Sequence, residues 1–124
     1  MRLAHDRLES IYLQAGLDPL GSQEAAEAFG GDGKQFRQLT QRMLQDGTLI
    51  SLDPTTLVHK DAYRSALQTL GELFREKGEV VLGDYRTRLG ISRKSALLYL
   101  DSFDMRRITR KMGDKRVVLK LPEL

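Results

Sequence analysis

In the stretch GISRKSALLYLDSFD, residues 90–104, Arg93 and Lys94 directly follow Ser92. Ser92 is the kind of residue that caps a helix N-terminus, and Ala96, Leu97, Leu100 and Phe103 recur at helical spacing. The two cations therefore fall in a first turn, where exposed N–H groups and the macrodipole favour anions. A phosphate docked at that helix end offsets the mismatch, because N–H groups and side chains can hold it jointly. The chemistry this pattern suits is polyanion binding.

Other candidates are weaker. FGGDGKQ, around Lys34, invites a phosphate-loop reading, but that motif needs Gly at position 28, which is Ala, and Ser or Thr at 35, which is Gln. A helix-breaking loop is the better account. His5 and His59 lie far apart, with no carboxylate read at ligand spacing, so no metal site is expected. Asp101 and Asp104 stand one helical turn apart on an expected exposed face. Paired carboxylates can do acid–base work, but here they are expected to offset cations such as Arg106 and Arg107 or to cap the helix end. The absence of cysteine excludes disulfides, thiolate metal sites and cysteine nucleophiles. No nucleophile sits beside a base. The expectation is a binding module, not an enzyme, with no cofactor.

The charge distribution supports a polyanion partner. Residues 1–60 carry six Lys/Arg against eight Asp/Glu, a net −2, whereas residues 61–124 carry fourteen against nine, a net +5. Between Arg86 and Arg116 ten basic residues face three acids. A block of one sign is an electrostatic footprint for nucleic acid, although a solvated face gives the same composition. At 124 residues, 40% hydrophobic and 30% charged, the chain suits one domain or two small ones in series. No apolar run approaches the roughly 20 residues of a membrane helix. The N-terminus reads as an amphipathic helix, and the expected location is the cytoplasm, as a monomer.

The elements that must position these residues come in two similar sets. The first opens with a helix whose face carries Ala4, Leu8, Ile11, Tyr12 and Ala15, ended by Gly16. LDPLG is a turn. Ser22 is expected to cap a short second helix with Ala25, Ala26 and Phe29, broken by GGDG. A third helix turns Phe36, Leu39, Thr40, Met43 and Leu44 inward and stops at Asp46-Gly47. TLISL and TLVHK, joined through DPTT, read as a hairpin.

The second set repeats the order. Ala62, Tyr63, Ala66, Leu67, Leu70, Leu73 and Phe74 form a long helical stripe ended by Lys77-Gly78. Glu79-Val80-Val81 is extended, and a brief helix carries Tyr85 and Leu89 up to Gly90. The stretch at 90–104 is the third helix. RITRKMGDKRVVLK is a hairpin turning at Gly113-Asp114. A shift of about 60 residues superposes the two sets.

Three helices and a two-stranded ribbon make a winged helix, a helix-turn-helix with a wing. The fold class is mainly α with small β-hairpin wings (α+β): tandem winged helices at residues 1–60 and 61–124, leaning on each other, the second starting directly from the first wing. The expected second core contains Leu67, Leu70, Phe74, Leu97, Leu100 and Val118. In such a fold the third helix's N-terminus meets the nucleic acid and the wing touches its backbone. The expected contact residues are Arg86, Ser92, Arg93, Lys94, Arg110, Lys111, Lys115 and Arg116, with Arg88 nearby. The first wing, LDPTTL, has no cation, so the first repeat is expected to be a spacer or packing partner.

LFREKGEVVLGDYRTRLGISRKSALLYLDSFDMRRITRKMGDKRVV resembles the last winged helix of the bacterial selenocysteine-specific translation elongation factor, SelB. The resemblance rests on Gly78-Glu79-Val80, Tyr85-Arg86, Leu89-Gly90, Ser92-Arg93-Lys94, Ala96, Asp104, Thr109-Arg110 and Gly113-Asp114-Lys115-Arg116. AGLDP at 15–19 is similar to the turn after the first helix of that family's repeats. A departure is Val81-Leu82-Gly83, where a stronger helix start is expected. The resemblance implies the mRNA-gripping arm of a GTPase that carries selenocysteyl-tRNA to the ribosome. The partner would be an mRNA hairpin. Ribosome and tRNA would be met by the rest of the factor, and GTP would belong to a region that this chain lacks.

Two rivals stay open on the residues alone. One is a DNA-binding regulator, and the other is a winged helix used for protein contacts. Against DNA, the third helix after Lys94 offers Ser95, Leu98, Tyr99, Asp101 and Ser102, which are poor major-groove readers. Tyr99 could offer a stacking face for a base, although packing at the helix edge is the expected role.

Overall fold

The computed structural model describes residues 2–122, apart from the side chain of Arg2. The chain divides into two compact units between Tyr63 and Arg64. The first unit runs α1 (Arg2–Ala15), β1 (Leu20–Gly21), α2 (Ser22–Phe29), α3 (Gly33–Gln45), β2 (Leu49–Asp53) and β3 (Thr56–His59). The same order follows as α4 (Lys60–Lys77), β4 (Val80–Val81), α5 (Leu82–Leu89), α6 (Arg93–Met105), β5 (Thr109–Met112) and β6 (Lys115–Val118). Helix α4 starts at the residue after β3, with no linker. Each set is a winged helix.

In the first unit Leu8, Tyr12, Ala25, Phe29, Phe36, Leu39, Met43, Leu49 and Leu57 form one buried cluster. The hairpin β2–β3 pairs antiparallel, and β1 adds a third strand on the far side of β3, Leu20 opposite Leu57. That strand is two residues long, too short for any period to announce it, and it takes up the last two residues of the expected LDPLG turn. Ser22 is the first residue of α2 and not its cap. Gly21 holds that position without a side-chain bond, and the Ser22 hydroxyl donates to the Thr55 carbonyl at 3.2 Å. At α3, Asp32 is the N-cap, accepting the Lys34 N–H at 2.9 Å. Leu44, expected inward, is exposed at the helix edge.

The second unit buries Leu67, Leu70, Leu73, Val80, Tyr85, Ala96, Tyr99, Leu100, Phe103 and Ile108. Tyr85 meets Phe103 edge-on at 6.4 Å, and its hydroxyl donates to the Ala66 carbonyl at 2.8 Å. The aromatic body is thus buried with its polar tip satisfied. Strand β4 lies beside β6, which pairs with β5 around the two-residue Gly113-Asp114 turn. Gly113 has φ 68°, the left-handed conformation such turns require.

The face of α6 departs from expectation. Tyr99 is fully buried, whereas Leu97 is 36% exposed. Positions 96, 99, 100 and 103 form the inner stripe at i, i+3, i+4 and i+7. Leu97 sits one residue beyond it. Tyr99 packs against Phe103, with ring centroids 6.4 Å apart, so it offers no stacking face to a base. Phe74 and Val118 are half-buried at the margin of the core.

Candidate nucleic-acid interface

Ser92 does cap α6: its backbone is extended and its hydroxyl oxygen accepts the Ser95 N–H at 3.1 Å. Arg93 and Lys94 are exposed in the first turn, which contains no acidic residue. Among the described residues neither makes an ion pair, and the same holds for Arg86 at the end of α5 and for Arg110 and Lys111 on β5. Helix α5 starts at Leu82 with no side-chain cap, Asp84 supplying an anion in its first turn. The Val81-Leu82-Gly83 departure thus leaves the helix intact.

Other cations of this unit are spoken for. Arg88 forms a two-pronged pair with Glu76, whose carboxyl the guanidinium holds below its usual range. Lys77 lies 2.9 Å from Asp84. Lys115 reaches Glu79 at 3.4 Å across an exposed edge, a pair of little strength in water.

Arg116 is a correction. Expected at the binding surface, it is 3% exposed. Its Nε donates to Asp104 Oδ2 at 3.0 Å and its Nη2 to Asp101 Oδ1 at 3.0 Å. The Thr109 hydroxyl also donates to Asp104. The register explains this. Lys111 opposes Arg116 and Thr109 opposes Val118, so these four side chains share one face of the hairpin, and Thr109 and Arg116 lie under α6. Asp101 and Asp104, expected to offset neighbours such as Arg106 and Arg107, anchor the wing to the helix through Arg116.

The opposite face of the wing carries Arg110, Met112, Lys115 and Val117. With Lys111, Gly78 and Glu79 they line an open groove of about 630 Å³. Met112 is 51% exposed among the cations. Sequence reading missed this apolar contribution. The signal was available, since Met112 shares its strand face with Arg110.

The histidines also depart from expectation. His5, Asp6 and Glu9 come within 4.8 Å of one another on α1, so carboxylates do lie near a histidine. The i to i+4 spacing of His5 and Glu9 could have shown it. Glu9 Oε2 lies 2.8 Å from Nε2 of buried His59, whose Nδ1 accepts the Asp61 N–H at 3.1 Å. With Nδ1 accepting, Nε2 carries the proton and donates to Glu9. The ring ties the end of β3 to α1, a structural role.

Residues 72–118 match the family described as "Elongation factor SelB, winged helix". This segment belongs to the SelB winged-helix family. The selenocysteine-specific elongation factor of Desulfomicrobium baculatum is 28% identical over 113 residues, covering 91% of this chain and 18% of the relative. The Escherichia coli K12 factor is 25% identical over 103 residues, covering 83% and 17%. The chain therefore spans about a fifth of the length of these relatives. Among solved structures, the mRNA-binding domain of E. coli SelB in complex with SECIS RNA matches with a TM-score of 0.81 at 23% identity, covering 94% of both chains. The bacterial selenocysteine-specific elongation factor EF-Sec matches with a TM-score of 0.73 at 14% identity, covering 94% of this chain and 18% of that one. Both structural likenesses extend over the two repeats, so the fold correspondence includes the first unit.

Proposed function

We propose that the second unit grips an mRNA hairpin of the selenocysteine-insertion kind, and that the chain is the RNA-binding C-terminal arm of a selenocysteine-specific elongation factor. The observation that carries this reading is the state of Arg93 and Lys94. They occupy a helix start that disfavours cations, and they have no ion-pair partner among the described residues. Backbone phosphate is the group that best completes this end of α6, with Arg86, Arg110, Lys111 and Lys115 as flanking contacts. The family of residues 72–118 and the SECIS RNA bound by the E. coli relative support the choice of RNA.

The role is binding, not catalysis, in the cytoplasm. No described helix is long and apolar enough to cross a membrane. Ribosome and selenocysteyl-tRNA would be reached through other parts of a longer factor. The reading is tested by a gel-shift panel: a selenoprotein mRNA hairpin, its loop-scrambled form, and duplex DNA of equal charge. The native hairpin should bind tightest, because hairpin RNA is read by phosphate contacts plus splayed loop bases. Equal binding to all three would reduce the interface to a non-specific cationic face.

A further inference from the structure

Helix α1 carries a group of side chains that the hairpin-binding reading leaves unused. His5, Asp6 and Glu9 each offer one ligand atom, and the three atoms lie within 4.8 Å of one another. His5 Nδ1 and Asp6 Oδ1 are 3.5 Å apart. That is longer than an ordinary hydrogen bond, but close to the edge, about 3.4 Å, of a tetrahedron with metal–ligand bonds of about 2.1 Å. Glu9 is held from behind. Its Oε2 lies 2.8 Å from Nε2 of His59, whose side chain is 3% exposed and which belongs to β3, not to α1. A buried donor of this kind fixes the orientation of a ligating carboxylate. Asp46 lies within electrostatic reach of His5 and adds negative field, while Arg7 is turned onto the Phe29 ring, 4.3 Å from its centroid. Helix α4, the counterpart of α1 in the second unit, has no histidine, so the winged-helix fold does not itself require the group.

We propose that His5, Asp6 and Glu9 bind a divalent transition-metal ion of the Zn²⁺ class, with buried His59 positioning Glu9. His5 and Glu9 stand one helical turn apart, so they share a face of α1. One neutral imidazole and two carboxylates balance the charge of a dication. The mixed nitrogen and oxygen set suits Zn²⁺, Co²⁺ or Ni²⁺, whereas Mg²⁺ and Ca²⁺ take oxygen ligands. Water completes the coordination. The ion ties the start of α1 to the end of β3 through Glu9 and His59, so its effect is on the stability of the first unit.

The test uses the full chain, whose two histidines are His5 and His59. Zn²⁺ is titrated, with calorimetry and histidine-ring NMR as readouts and Mg²⁺ as the control. One Zn²⁺ should bind per chain. The His5 ring resonances should move first and furthest, and Mg²⁺ should leave them in place. His5→Ala should weaken Zn²⁺ binding at least tenfold. Glu9→Gln should do the same with the fold intact, because its amide oxygen can still accept from His59. His59→Leu should weaken binding about tenfold, the scale on which lost outer partners act, and His59→Gln, which keeps a donor, should restore most of it. Zn²⁺ should raise the melting temperature of the native chain but not that of His5→Ala. If His59→Leu unfolds the chain, the two α1 variants decide alone. No binding with Zn²⁺ in excess, or binding that survives both α1 variants, overturns the proposal. Equal weakening by His59→Leu and His59→Gln, with the fold retained, overturns the positioning role of His59.

Discussion

Arg116 Nε lies 3.0 Å from Asp104 Oδ2, joining the inner face of the wing to the last turn of α6. Asp104 is one-quarter exposed and Asp101 more so, whereas Arg116 is enclosed. The pair thus keeps water on the carboxylate side while its hydrogen bonds fix the cation. Arg116→Ala should lower stability by about 1.5–3 kcal/mol, the scale of hydrogen bonds to charged groups. Arg110→Ala and Lys111→Ala should stay within about 0.5 kcal/mol. Urea unfolding of the three variants distinguishes wing anchor from wing surface.

The inner stripe of α6 gives a second prediction. Tyr99→Ala should cost about 3–5 kcal/mol as a large buried truncation, and Leu97→Ala less than about 1 kcal/mol. Equal losses in chemical denaturation would mean that both residues share the core.

Arg107 is the one non-glycine at positive φ among the described residues, at 61°. Five other helices end next to a positive-φ glycine, and Gly47 is the counterpart of Arg107 in the first unit. A Cβ in this conformation costs about 1–2 kcal/mol. Arg107→Gly should therefore raise stability by about 1 kcal/mol, read as a higher melting temperature. A lower one would mean that the arginine side chain stabilises the fold by more than its backbone strain costs.

Tyr12 is buried in the first core, and its hydroxyl has no hydrogen-bond partner among the described residues. Burial raises its pKa from 10.0 to about 12. The folded state therefore holds the proton more tightly than the unfolded chain. Stability is full below pH 10 and falls as pH rises from there through about 12. Tyr12→Phe should be neutral to stabilising at pH 7, and it should flatten the alkaline loss in a pH series of unfolding midpoints.

The order of elements was legible because each helix of both units carries an apolar stripe, a glycine after it, or both, and because the second set repeats the first. Arg93, Lys94 and the Ser92 cap were legible for a local reason: capping and first-turn placement depend on neighbours in sequence. Arg116 was misread because its fate depends on hairpin register. A two-residue turn at Gly113-Asp114 puts it opposite Lys111 and on the face of Thr109, and counting alternation from that turn would have turned it inward. Leu97 and Tyr99 are two residues apart on a helix with apolar residues at 96, 97, 98, 99 and 100. With so many, the period alone does not choose the stripe. The His59–Glu9 hydrogen bond joins residues 50 apart, and no local pattern encodes it.

The central claim rests on Arg93 and Lys94, and the double variant Arg93→Ala/Lys94→Ala tests it most directly. Binding of the selenoprotein hairpin should be titrated across a salt series, with unfolding measured alongside. The fold should hold or gain slightly, because the replaced cations oppose the helix dipole. Affinity should fall by at least ~2 kcal/mol, about thirtyfold. The slope of log K against log salt should shrink by about 0.7–0.9 for each phosphate that the variant no longer neutralises. Unchanged affinity and slope at moderate salt, with the fold intact, would contradict the account and leave the start of α6 a solvated helix end.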